Sequence, residues 1–163
     1  VNFGVESPLV VNAMLASSVI GIMIGAFISG RKSLNFIRVN NIYTGSTMIT
    51  ICAILVPIVS SLSFIPNSSA LIIVTAVILL FGVGAGMMIV PLNALMQAHS
   101  PEDGLGSMLA GKNWLQNIAM IGLLALTMLL AKLSFDSQFI LYLNAAIAVV
   151  GFTIVLKKLK TIL

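Results

Sequence analysis

Long apolar runs separated by short polar punctuation set the pattern of this chain. Charge-free stretches cover residues 9–29, 42–62, 70–95, 114–131 and 139–156. Each reaches about 18 residues or more, the length at which a helix rising about 1.5 Å per residue crosses a hydrocarbon core about 30 Å thick. The pattern predicts an all-α membrane protein whose transmembrane helices span residues 8–30, 42–63, 69–97, 110–132 and 138–157. The connections are short, with Gly30-Arg31-Lys32-Ser33 after the first span and Ile65-Pro66-Asn67-Ser68-Ser69 before the third, so residues 1–163 read as one partial bundle with no room for an extramembrane domain. The longest connection carries Ser100-Pro101-Glu102-Asp103, a helix-start signature with a capping serine, proline at the first helical position and acids in the first turn. It predicts a short interfacial helix that Gly104 and Gly106 end or bend before the fourth span.

Composition agrees with the pattern. A hydrophobic fraction of 60% with 7% charged residues is far from a soluble domain, which carries about 25% charge. Of the eight basic residues, Arg31, Lys32, Arg38, Lys112, Lys157, Lys158 and Lys160 fall on one side of the spans and Lys132 on the other. By the positive-inside rule the seven face the cytoplasm, which predicts an N-out, C-in orientation. Tyr43 and Trp114 then lie near the inner interface and Tyr142 near the outer one, where amphipathic rings are favoured. The net charge of +4 sits at span ends and tails, where anionic headgroups attract it, and does not point to nucleic acid. An odd number of spans, with the first end outside and no basic leader ahead of it, predicts a fragment preceded by at least one further span.

Small residues mark the packing faces. Ser17, Gly21, Gly25 and Ser29 recur every four residues in the first span, and Gly82 with Gly86 makes a second such pair in the third, where Gly84 stands between them. Lipid tails supply no hydrophobic drive between helices, so close approach over small residues is what brings them together. Gly82-Val83-Gly84 is not a nucleotide loop, because position 87 is Met87 and the segment lies within an apolar helix rather than after a strand. Pro91 removes one backbone hydrogen bond from the third span and predicts a kink, structural or hinge-like, that persists only where protein or a water-filled cavity satisfies the freed carbonyl. Pro57 raises the same question in the second span.

Intramembrane amides are the candidates for function, since an unpaired amide in hydrocarbon is costly. Asn93 and Gln97 are four apart and share a face of the third span. Asn113, Gln116 and Asn117 share a face of the fourth, with Lys112 alongside. The two clusters lie at similar depth near the inner end, and together they form either a polar vestibule open to the cytoplasm or a set of amides that bond one another and tie two helices together. Asn12, Ser17 and Ser18, with Thr44, Thr47 and Thr50, extend this lining unless the hydroxyls bond their own helix backbones. One histidine, His99, one cysteine, Cys52, and no carboxylate inside any span argue against an enzyme, a resident metal, a cofactor or a carboxylate ion relay in this region.

The run Val90-Pro91-Leu92-Asn93-Ala94-Leu95-Met96-Gln97, followed by Gln116-Asn117 and accompanied by the glycine-rich helix and the basic Gly30-Arg31-Lys32 loop, resembles the lysophospholipid transporters of the major facilitator superfamily. The resemblance covers essentially the whole chain and implies the last five of twelve helices, most of a six-helix C-terminal bundle, in the bacterial inner membrane. It implies a carrier that moves lysophospholipid, notably lysophosphatidylethanolamine, by rocking against an N-terminal transmembrane half. The implied partner is a cytoplasmic acyltransferase with acyl-carrier-protein synthetase activity. Asn93, Gln97, Asn113, Gln116, Asn117 and Asn12 are then headgroup contacts or gates, and Ser17, Gly21, Gly25, Gly82, Gly86 and Pro91 packing or hinge positions. A carrier of another amphipathic or small solute and a non-transporting membrane scaffold are the alternatives.

Overall fold

In a computed structural model, residues 8–32, 39–61, 67–101 and 104–162 are described, and they form five helices. These are α1 (Pro8–Lys32), α2 (Val39–Ser61), α3 (Asn67–Ala98), α4 (Leu105–Lys132) and α5 (Ser137–Ile162). All five are long and apolar enough to cross a membrane, which marks a membrane-embedded protein. With 32 residues, α3 reaches about 48 Å at about 1.5 Å per residue, longer than the hydrocarbon core alone demands.

The fourth helix departs from the sequence reading. It starts at Leu105 with Gly104 as its N-cap, so Gly106 lies in its first turn and neither ends nor bends a separate helix. Glycine costs roughly 1 kcal/mol in a helix interior. An unpaired backbone group near hydrocarbon costs several times that, so the helix continues through it. Of the predicted interfacial helix, Glu102 and Asp103 lie outside the described residues, and the Gly104 amide donates to Pro101 O at 2.9 Å. At its other end α4 closes with Phe135 N–H donating to Leu130 O and Ser134 N–H to Ala131 O, both at 3.1 Å. Ser134 takes φ 60° there, the left-handed position that glycine usually fills.

Helix α3 is the centre of the fold, with α1 on one side and α2 on the other. Glycines at alternate positions explain this: Gly84 is turned about 200° from Gly82, so one helix offers close approach on two opposite faces. A Cβ on Gly82 would strike Ser18 O and one on Gly86 would strike Ile22 O, while Cβ atoms on Gly21 and Gly25 would strike Leu79 O and Val83 O. These pairs rise together in number, so α1 and α3 run parallel. On the far face, a Cβ on Gly45 would lie 2.6 Å from Gly84 O, and one on Gly84 2.9 Å from Gly45 O. Cys52 faces Ile78 and Phe81 around a shared cavity, so α2 runs antiparallel to α3. Helix α5 packs on α2, again antiparallel, since Ser46 meets Phe152 and Val155 whereas Val56 meets Leu141. Directions therefore alternate along the chain. Arg31, Lys112 and Lys157 lie toward one end of the bundle and Lys132 toward the other.

The buried core is thin and follows the α1, α3, α2 contacts, with Ile42, Val59, Val74, Val77 and Val83 inside. Leu15, Met23 and Phe27 of α1 and most apolar side chains of α4 point outward, the surface expected where the solvent is lipid. Helix α4 has no buried residue, and Trp114, the sole tryptophan, is 69% exposed. Brominated lipids are therefore expected to quench most of the intrinsic tryptophan fluorescence in reconstituted protein, while an aqueous quencher such as iodide quenches little. Strong iodide quenching with none from the brominated chains would show that α4 does not face lipid.

Candidate functional site between α3 and α4

The carbonyl that Pro91 leaves without its helical partner is that of Met87, four residues back. Ser29 Oγ donates to Met87 O at 3.4 Å, and Asn41 Nδ2 donates to Ser29 Oγ at 3.2 Å. The stripe on α1 thus ends in a hydroxyl that serves α3, held in place by an amide from α2. Both Ser29 and Pro91 are fully buried. This clasp answers the question the proline raised: α3 runs through Pro91 as one helix, and protein supplies the missing donor. The other hydroxyls turn inward to their own helices, with Ser17 donating to Met14 O at 2.7 Å, Ser18 to Leu15 O at 2.8 Å, Thr44 to Asn40 O at 2.9 Å, Thr47 to Tyr43 O at 2.8 Å and Thr50 to Ser46 O at 2.9 Å. They add little polar lining.

Two residues beyond Pro91, Asn93 points toward α4, where Lys112 Nζ donates to Asn93 Oδ1 at 2.6 Å. A charge-assisted bond of this length is at the strong end of its kind. Lys112 and Gln116 are one turn apart on α4, and with Asn93, Met88, Leu92 and Met96 they line a cleft of about 430 Å³. Ser100 Oγ lies 2.7 Å from both Met96 O and Met108 Sδ, which ties the start of α4 to the end of α3. The result is an ammonium and two amides above a wall of methionine and leucine, and methionine adapts readily to differently shaped apolar ligands.

Of the amides singled out in the sequence, Asn93 and Gln116 line the cleft. Gln97 is exposed near the end of α3, and Asn113 and Asn117 are exposed on the flank of α4 away from the lining. Asn12 is exposed near the start of α1, at the opposite end of the bundle from the cleft. Gly21, Gly25, Gly82 and Gly86 form the α1–α3 contact itself.

Sequence reasoning missed three positions. Asn41 belongs to the clasp, and its signal was an amide in the first turn of an apolar helix whose neighbour ends in a buried serine. Gly45 makes the α2 side of the second glycine contact. Asn144, two turns into α5, lines a separate cavity of about 370 Å³ with Ser18, Cys52, Val56, Phe81 and Leu141, and it is the only amide in that lining. No family model, no curated protein and no solved structure matches the chain. The site is therefore read from its own chemistry.

Proposed function

We propose that the five helices belong to the C-terminal bundle of a major facilitator type carrier, N-out and C-in in the bacterial inner membrane. By alternating access it moves a lysophospholipid of the lysophosphatidylethanolamine kind, or another amphipathic solute. The observation that carries this reading is the cleft, where the Lys112 ammonium, the Asn93 amide and the Gln116 amide sit over an apolar wall. A headgroup and the first part of an acyl chain make the same pair of demands on a site. Depth supports it: only about 20 residues of a helix cross the hydrocarbon, so in the 32-residue α3 Asn93 falls near the headgroup level at the end shared with Arg31 and Lys157. The close-packing faces at Gly21, Gly25, Gly45, Gly82, Gly84 and Gly86, which a scaffold would offer to partners, are filled within the chain by α1 against α3 and α2 against α3. That favours a carrier over a docking subunit. In such a carrier the bundle rocks against an N-terminal half, and a loosely seated α4, with no buried residue, is the wall that moves at low cost.

Uptake of labelled lysophospholipid by cells expressing the protein tests the reading. Asn93→Leu and Gln116→Leu are each expected to lower uptake roughly fivefold at unchanged expression, the worth of about 1 kcal/mol from one lost hydrogen bond. Undiminished uptake in both variants would remove the cleft from the transport path.

A further inference from the structure

We propose that the α3–α4 cleft selects lipids whose headgroup carries net negative charge over zwitterionic ones; this rests on the reading of the cleft as a headgroup site and sharpens its substrate class. The bond between Lys112 and Asn93 fixes which atoms each group presents. An ammonium has three donors and no acceptor, so the Asn93 amide must present its oxygen to Lys112, as it does at 2.6 Å. Its Nδ2 hydrogens are then turned away from Lys112, and they donate to no described residue. Lysine keeps further N–H bonds to give. Both groups thus offer donors to whatever enters, and Gln116 adds an amide of either sense.

Among the described residues, no carboxylate balances them. The cleft lining contains none, and Asp136, the single acidic residue among those described, follows α4 at the far end of the bundle. A phosphate oxyanion entering the cleft meets a cation and a free amide N–H. The ammonium of an ethanolamine or choline headgroup meets a like charge and, among the described residues, no counterion. Water cannot dilute this contrast as it does on an exposed surface, because Lys112 and Asn93 are both half-buried and screening weakens with burial. The apolar wall of Met88, Leu92 and Met96 fits a chain attached to that phosphate, so the ligand class is an anionic, single-chain phospholipid.

The test is binding of lysophosphatidylglycerol and lysophosphatidylethanolamine of equal chain length to the purified full chain, measured by native mass spectrometry. The anionic lipid is expected to bind roughly tenfold more tightly, the worth of one charge-assisted hydrogen bond. Lys112→Gln is expected to erase the preference by weakening the anionic lipid's binding more than the zwitterionic lipid's, and Lys112→Arg to keep it, which guards against misfolding as the cause. Asn93→Asp places a carboxylate beside Lys112 and is also expected to erase it, whereas Lys132→Gln at the other end changes nothing. Glycerol phosphate as a competitor distinguishes the source of the phosphate. Failure to displace the lipid supports a lipid ligand, and full displacement at equal concentration overturns it. Equal affinity for the two lysolipids, or a preference that survives Lys112→Gln, overturns the proposal. A chain that binds both lipids equally but loses uptake with Asn93→Leu leaves the carrier standing without this selectivity. A chain that keeps the preference while no variant affects uptake leaves the selective site standing without the carrier.

Discussion

Gly25→Ala is expected to destabilise the chain by about 2 kcal/mol, while Gly122→Ala stabilises it by up to about 1 kcal/mol. Both replacements add the same methyl group to a helix interior, and both gain the same intrinsic propensity. They differ in what the methyl meets. At Gly25 it runs into Val83 O, with Val83 C at 2.8 Å and Met87 N at 3.0 Å, whereas at Gly122 it meets nothing within 4 Å. The obstacle at Gly25 is backbone, so no side chain can rotate aside, and α1 must lift from α3 along a contact repeated at Gly21, Gly82 and Gly86. In lipid this separation is not resisted by any hydrophobic term, because the exposed faces are as well solvated by acyl chains as by each other. Among the described residues, van der Waals contact and the clasp at Ser29 hold the pair. Denaturation by sodium dodecyl sulphate of the purified protein in mild detergent, followed by far-ultraviolet circular dichroism or a label at the α1–α3 contact, measures the difference. Equal shifts for Gly25→Ala and Gly122→Ala would remove the close approach as a source of stability. Gly86→Ala combined with Gly25→Ala should cost less than the sum of the two, since the first replacement already opens the contact that the second would occupy.

What was legible in the chain follows from what membranes demand. The five spans could be read because each is an uninterrupted apolar run, and no other solvent tolerates such runs exposed. That α1 and α3 each carry a close-packing face could be read because small residues every four positions have one use in lipid; that the two faces meet each other could not. The start of α4 was set too late, because glycine was weighed as a breaker at Gly104 and Gly106 when the cost of open backbone near hydrocarbon exceeds the glycine penalty. Which amides meet was not legible. Helix α4 is apolar around most of its circumference and buries nothing, so its rotation is not encoded by a polar face. Asn113, Gln116 and Asn117 lie within one turn of each other and Lys112 lies beside them. Only the observed rotation puts Lys112 and Gln116 into the cleft and leaves Asn113 and Asn117 outside. The same holds for α3, where Asn93 and Gln97 share a face by spacing. Gln97 nevertheless is exposed and outside the lining, although Met96 beside it is part of it.

Ser29→Ala is expected to destabilise the protein by about 1 kcal/mol in the natural background and by nearly nothing once Pro91→Ala is also present, a coupling that identifies the acceptor. Proline at position 91 leaves Met87 O without its helical donor, and Ser29 Oγ, fully buried on α1, takes that donor's place at 3.4 Å. The bond is longer than a usual hydroxyl contact, so its worth is set at the low end of the range for a buried acceptor. Removing the hydroxyl returns the carbonyl to an unpaired state among apolar neighbours. Alanine at position 91 restores an amide that reaches Met87 O within the helix, and Ser29 then has no unique partner to serve. Asn41→Leu should behave as a weaker copy of Ser29→Ala, because Asn41 acts on the same carbonyl only by holding Ser29 at 3.2 Å. A Ser29→Ala penalty of the same size with and without the proline would mean that the serine acts only through its small volume on the α1 stripe. If the coupling is found, then α1, α2 and α3 are locked together at the end of the bundle nearest the cleft. Any motion of α3 that changes the cleft must then carry α1 and α2 with it, leaving α4 as the side that yields.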